Sequence, residues 1–215
     1  MTTALTYTPD SPEVLHLSAV DPVMAELIGR VGPLTQPLET DFFESLASAI
    51  VAQQLSDAAA GTIWKRVVTL VGEVRPERVL ATATTDLRGA GLSRGKVAFI
   101  TDLAERVFDG RLDLVHTASL GDDEVVEALV TVKGIGRWTA EMFLIFALGR
   151  PDVLAVDDGA LRSTVAWLYD VDDGADREHV ARIGETWRPY RTAASLYLWR
   201  GLALRREAER ALRSR

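Results

Sequence analysis

The sequence contains no cysteine. It can therefore form no disulfide, carry no thiolate nucleophile and hold no cysteine-ligated zinc or iron–sulfur cluster. Histidine is scarce as well. His16, His116 and His179 are the only three, none is four residues from another, and a histidine-based metal site is not expected. No apolar run approaches the roughly 20 residues a membrane helix needs, so no membrane partner is expected. The first residues lack the basic start and apolar core of a secretory signal. A cysteine-free chain without these features fits the cytoplasm. Heptads, long repeats and low-complexity linkers are missing too.

What is present is ordinary for a folded globular chain: 215 residues, 47% hydrophobic and 26% charged. That is enough for one compact domain or two small lobes sharing a core. The net charge of −7 taken alone argues against nucleic acid, which recruits basic surfaces. The charge is uneven, however. Acids gather at 122–127 and 170–178, and bases at 94–96, 133–137 and 205–215. An acidic protein with a local basic patch fits this distribution.

Helix starts punctuate the chain. Residues 1–19 have little periodicity and read as a surface arm. Asp21-Pro22 opens a helix that ends near Gly32-Pro33, and 35–40 reads as a loop. Asp41 caps a helix from Phe42 to about Ser56, with Phe42, Leu46, Ala49 and Ile50 at helical spacing. It ends in Gln53-Gln54-Leu55. Two adjacent glutamines fit a polar helix end first, and a polar probe facing a ligand as the sharper alternative. Further helices are expected over 57–71, from Pro76, from an Asp86 cap, and from a Ser93 cap through Val107. Asp122 caps one through Leu129, Arg137 to Leu148 forms an apolar helix, and Asp158 opens one to Tyr169. The last two lie near 177–187 and from Pro189 to about Arg210. Roughly ten helices with no convincing strand give an all-α class, too short and uneven for a simple four-helix bundle.

The chemistry concentrates in 129–162, LVTVKGIGRWTAEMFLIFALGRPDVLAVDDGALR. Gly134 and Gly136 permit a backbone path that side chains would block. Amides at the start of the Arg137 helix lie at its positive end and suit a phosphate, and Lys133 and Arg137 add charge. The tripeptide is neither a dinucleotide fingerprint nor a P-loop, and an ordinary helix–turn–helix corner fits it as well. Asp157-Asp158 precedes a helix, where aspartate is a common cap. It also follows the apolar run 153–156, and a carboxylate held there needs a partner or a purpose.

Residues 129–158 resemble the signature of the helix-hairpin-helix DNA glycosylases: a hairpin, a Gly/Pro-rich loop, then an essential aspartate. Gly-Ile-Gly-Arg-Trp-Thr-Ala with the paired Asp-Asp is similar to the alkylation-repair branch, 3-methyladenine DNA glycosylase II. Gly91-Leu92-Ser93 with Lys96 resembles its Gly-Leu-Ser-x-x-Lys stretch, and Trp187–Arg191 through Trp199 its C-terminal pocket helix. The resemblance covers about 41–204. It implies two helical lobes with the active-site cleft between them. Residues 1–40 would form an arm and helix packed on the core, and 41–215 the glycosylase domain. The added N-terminal α/β domain of larger relatives would be missing, giving a compact form.

Roles follow from the resemblance position by position. Asp158 matches the catalytic aspartate, with Asp157 as competitor. Trp138 and Trp199 match aromatic walls of the base pocket, and Met142, one turn after Trp138, replaces an aromatic there. As a residue on an apolar helix face, Trp199 also reads as core. Gln54 and Leu55 fall where a side chain wedges into the vacated base stack. Lys133, Gly134, Ile135, Gly136 and Arg137 match the phosphate-binding hairpin, where carbonyls of Val130, Val132 and Ile135 hold a monovalent cation, Na+ or K+. The implied protein is a monomer acting on nucleoid DNA. It flips alkylated bases from the duplex and hydrolyses the N-glycosidic bond in base excision repair, with no catalytic cofactor and no iron–sulfur cluster. Bifunctional relatives carry a lysine where this chain has Trp138, so no lyase step is expected. The alternatives are a non-catalytic hairpin module that only binds DNA, and a helical interaction protein without a nucleic-acid partner.

Overall fold

Side-chain caps set about half of the helix starts. The computed structural model describes residues 3–171 and 174–213. Its elements run β1 (Ala4–Tyr7), α1 (Pro12–Val20), α2 (Pro22–Val31), β2 (Leu34–Pro37), α3 (Phe42–Ala52), α4 (Asp57–Val71), α5 (Pro76–Ala81), α6 (Thr84–Gly89), α7 (Arg94–Phe108), α8 (Leu114–Thr117), α9 (Asp122–Leu129), α10 (Arg137–Phe146), α11 (Gly159–Leu168), α12 (Arg177–Gly184) and α13 (Arg191–Arg213). Asp21, Asp41, Ser56, Ser93, Asp158 and Asp176 each accept an otherwise unpaired amide in the first turn of the following helix.

The structure is helical, and it adds elements that the sequence leaves as an arm and loops. β1 and β2 pair antiparallel, Ala4 opposite Pro37 and Tyr7 opposite Leu34. Four residues are too few for an alternation to be read. α1 has only Val14 and Leu17 buried, so it carries no clear stripe. Asp86 lies inside α6 rather than capping it; Ala83 holds the cap position. α3 stops at Ala52 instead of continuing to Ser56, and residues 53–56 form a tight turn before Ser56 caps α4.

The chain divides into two compact units. One comprises the chain up to Leu38 together with the stretch from Gly149 onward, and the other runs from Glu39 to Leu148. In the first, α13 is central: every residue from Thr192 to Leu198 is buried, as expected of a helix enclosed on all sides. α13 packs on α2 and α11. The polar groups it buries are satisfied. Thr192 donates its hydroxyl to the Arg150 carbonyl at 2.6 Å and accepts the Val153 N–H at 3.1 Å, while Ser195 bonds the Arg191 carbonyl. In the second unit α3 buries Phe43, Leu46, Ala47, Ile50 and Val51 and packs on α4, α7 and α10.

Candidate active site and nucleic-acid interface

The hairpin between α9 and α10 is built around Gly134. Its φ of +82° lies in the left-handed region, and a Cβ there would stand 2.2 Å from the Phe99 ring. Backbone conformation and packing both demand glycine. Gly136 differs. It is the N-cap of α10 at φ −97°, and no protein atom lies within 4 Å of where a Cβ would go. The open space there leaves the first amides of α10 approachable by an anion. Val132 and Ile135 are buried and anchor the turn. Lys133 and Arg137 keep mostly exposed side chains, with Lys133 Nζ 3.6 Å from Asp102 and Arg137 3.9 Å from Glu141.

Asp102 of α7 secures this hairpin from below. It is buried, and its Oδ2 accepts the Lys133 N–H at 3.0 Å and the Arg106 Nε–H at 2.8 Å. Burial alone would push this carboxyl up. The Lys133 N–H bond, the Arg106 hydrogen bond and the two nearby cations outweigh it and hold the carboxyl below its ordinary value. A depressed carboxyl contributes stability that is present above its unfolded value and is lost as pH falls through the folded one. Acid should therefore loosen the hairpin. The protection of the Lys133 amide, taken against its intrinsic exchange rate at each pH, is expected to fall on acidification, and Asp102→Asn should remove that pH dependence. An equal fall in wild type and variant would show that another group is responsible.

The turn at 53–55 separates the two glutamines. Gln54 sits at its exposed tip with φ +57°, a conformation that costs a non-glycine residue about 1–2 kcal/mol. Strain of this kind concentrates at functional turns. Leu55 beside it is 38% exposed. Gln53 instead turns inward, and its Nε2 donates to the Gly134 carbonyl at 2.8 Å. Lys96 donates from Nζ to the carbonyls of Val51 and Gln53, at 2.7 Å each, and desolvation lowers its pKa. None of these three contacts, nor the Asp102 anchor, is visible in the sequence. By spacing, serine–x–x–lysine at 93–96 marks Lys96 as a residue just inside a helix, and the resemblance of that stretch to the family's assigns it no contact.

α10 presents Trp138 on its first turn, 39% exposed, and Met142 one turn later, half-buried. Met142 lines a pocket of about 190 Å³ with Ser45, Ser48, Thr139, Phe143 and Phe146. A wider groove lined by Lys65, Arg66 and Asp86 touches none of the expected site residues.

Asp158 and Trp199 lie together in the other unit. Asp158 is the N-cap of α11, and its Oδ1 accepts the Leu161 N–H at 2.7 Å and the Trp199 indole N–H at 2.9 Å. Two donors on one oxygen fix the plane of the carboxylate. Trp199 is thus more than an apolar face: it is half-buried and orients the acid. The neighbouring Asp157 makes an ion pair with the exposed Arg177. The loop before Asp158 is clamped onto α13. Arg191 grips both carboxylate oxygens of Asp152 at 2.7 and 3.0 Å, and Thr192 holds Arg150 and Val153 as described.

Among the described residues no group of three or more His, Asp or Glu is placed to hold a metal ion. The Val130, Val132 and Ile135 carbonyls are hard, uncharged oxygens, a donor set that suits Na+ or K+. Val132 O already accepts the Ile135 N–H at 3.1 Å, and a carbonyl keeps a second lone pair for such an ion.

A helix-hairpin-helix turn followed by a capped aspartate on the next helix defines a class of DNA-repair protein, and the chain belongs to it. A profile described as HhH-GPD superfamily base excision DNA repair protein matches residues 47–189. The chain is 31% identical over 201 residues to the alkylbase DNA glycosidase-like protein mag2 of Schizosaccharomyces pombe, covering 90% of this chain and 94% of that one. It is 40% identical to a solved DNA-3-methyladenine glycosidase from Bacillus halodurans, with a TM-score of 0.84 and 94% of each chain covered. The solved S. pombe 3-methyladenine DNA glycosylase Mag1, in complex with abasic DNA, is 31% identical. Its TM-score is 0.82, with 88% of this chain and 95% of that one covered.

Proposed function

We propose that the protein is a monofunctional DNA glycosylase that takes alkylated bases out of duplex DNA and hydrolyses their N-glycosidic bond. The observation that carries the reading is Asp158, fixed by the Leu161 amide and the Trp199 indole. A module that only bound DNA would need no such carboxylate.

The chemistry follows from the residues. Removing a base from the stack costs a few kcal/mol, less when the base is damaged. The hairpin supplies amides, Lys133 and Arg137 for a backbone phosphate, a contact that positions without reading sequence, with the hairpin carbonyls holding a monovalent cation. Gln54 and Leu55 enter the vacated stack. A cationic alkylated base is attracted to the electron-rich face of Trp138, and the flexible thioether of Met142 accommodates varied lesion shapes. Cleavage of the C1′–N bond leaves positive charge on the sugar. The Asp158 carboxylate stabilises that charge and orients the water whose oxygen ends on C1′. The electron pair of the broken bond leaves with the base. Position 138 is tryptophan, and the chain's lysines are Lys65, Lys96 and Lys133. Of these, Lys96 is committed to two carbonyls. The product is therefore an intact abasic strand.

The test is release of free base from methylated duplex DNA, followed by gel analysis of the strand with and without alkali. Free base with a strand that breaks only after alkali is expected. Binding to the duplex with no release from any alkylated substrate would replace this reading with that of a hairpin binding module.

A further inference from the structure

One side of α7 carries four contacts that converge on the two DNA-facing loops of its unit. Lys96 holds the carbonyls of Val51 and Gln53. Phe99, one turn on, fills the space under Gly134. Asp102 accepts the Lys133 amide. Arg106 bonds Asp102 at 2.8 Å and reaches Thr131 Oγ1 at 3.4 Å. Positions 96, 99, 102 and 106 share a face at helical spacing. A direct link closes the loop: Gln53 donates to the Gly134 carbonyl. The turn bearing Gln54 and Leu55 is thus tied both to α7 and to the hairpin.

We propose that Lys96 and Gln53 are positioning residues forming a latch, which fixes the exposed 54–55 tip at a set spacing from the phosphate-binding hairpin. This rests on the glycosylase reading above. The physical need is plain. Gln54 is held in a strained left-handed conformation, and nothing within a three-residue turn keeps such a conformation unless its surroundings over-determine it. The Val51 carbonyl at the end of α3 and that of its C-cap Gln53 receive a lysine ammonium in place of helical partners. The phosphate grip and the stack-filling group then advance on the duplex as one rigid piece, so entropy is not lost ordering the tip at the moment of flipping. Neither Lys96 nor Gln53 contacts the reacting atoms in this scheme; both act through the tip.

The experiment compares Lys96→Met in two backgrounds, wild type and a chain carrying Gln54→Ala with Leu55→Ala. The readouts are single-turnover base release, 2-aminopurine fluorescence beside the lesion, and affinity for undamaged duplex. In the wild-type background release and fluorescence gain should fall about tenfold, part of the roughly hundredfold that misplacement by a full ångström can cost. Affinity for undamaged duplex, carried by the hairpin cations, should change less than about twofold. Lys96→Arg, which keeps the donors, should recover part of the loss. In the tip-less background Lys96→Met should cost nothing more, because coupled residues are non-additive. An equal loss in both backgrounds, or no loss in the first, overturns the latch. Should Lys96→Met prove unfolded at the assay temperature, Gln53→Met, which leaves the lysine bonds to the backbone intact, carries the same comparison. A wild type that releases no base defeats the glycosylase reading alone, since the fluorescence of the bound duplex still reports on the latch.

Discussion

Asp158→Asn should lower the rate of base release by about 10²- to 10³-fold, the range seen when a preorganised electrostatic group is removed, and leave the fold intact. The asparagine carbonyl can still cap α11 and accept the Trp199 indole N–H, because asparagine is as good a helix cap as aspartate. What it loses is the negative charge that the proposed mechanism sets against the developing oxocarbenium. The loss should be larger for neutral damaged bases than for cationic ones. A cationic base already departs as a neutral leaving group, so less of its barrier is borne by the protein. Asp157→Asn provides the contrast. It breaks a pair with an arginine whose side chain is 70% exposed, an interaction worth at most about 1 kcal/mol, and release should stay near wild type. Trp199→Phe keeps the ring and removes the donor. It should fall between the two, at about tenfold, the value of one charge-assisted hydrogen bond. Base release measured side by side on methylated DNA decides. If Asp157→Asn is the inactive variant, or if both are active, the assignment to Asp158 fails.

The parts of this molecule that can be read from the sequence are those whose determinants lie within a few residues of each other. Asp21, Asp41, Ser93 and Asp158 each sit immediately before the helix they cap, and a cap is a contact over two or three residues. The hairpin and its flanking bases form one continuous pentapeptide, 133–137. The Asp157-Asp158 pair is equally local, but the distinction between its members is not. It depends on Trp199, 41 residues away, and on Arg177. The same holds for Gln53 and Gln54. In the sequence they are two like residues; in the fold one is bonded across 81 positions to Gly134 and the other stands in solvent. Trp199 shows the opposite difficulty. Its apolar surroundings are legible and favour a core assignment, while its single polar atom bonds Asp158. β1 and β2 escape notice because four-residue strands have no measurable period, and their pairing joins positions about thirty apart.

The largest effect on stability should come from Asp21, far in sequence from any of the expected site residues. Its carboxylate is buried and accepts four donors. Oδ1 takes the Val23 and Met24 amides at 3.0 and 3.1 Å. Oδ2 takes the Tyr169 hydroxyl and the fully buried Trp187 indole N–H. Burial first, then the hydrogen bond and charge of Asp21, push the Tyr169 phenol far up, so it stays a donor throughout the accessible pH range. One side chain thus joins the start of α2 to the end of α11 and to the turn before α13. Asp21→Ala removes a cap worth about 1 kcal/mol and strands the buried Trp187 indole N–H and the part-buried Tyr169 hydroxyl at about 1–3 kcal/mol each. A total of about 3–7 kcal/mol is a large share of the roughly 5–15 kcal/mol that holds a typical domain together. Asp41→Ala is the matched control, because Asp41 caps α3 through a single amide on an exposed surface and should cost about 1 kcal/mol. Urea unfolding of both variants reads the difference as a shift in midpoint at unchanged slope. Tyr169→Phe and Asp21→Ala combined should cost less than their sum, since the phenol has no acceptor left to lose. If Asp21→Ala is no more damaging than Asp41→Ala, the indole and phenol bonds contribute nothing and Asp21 is only a cap.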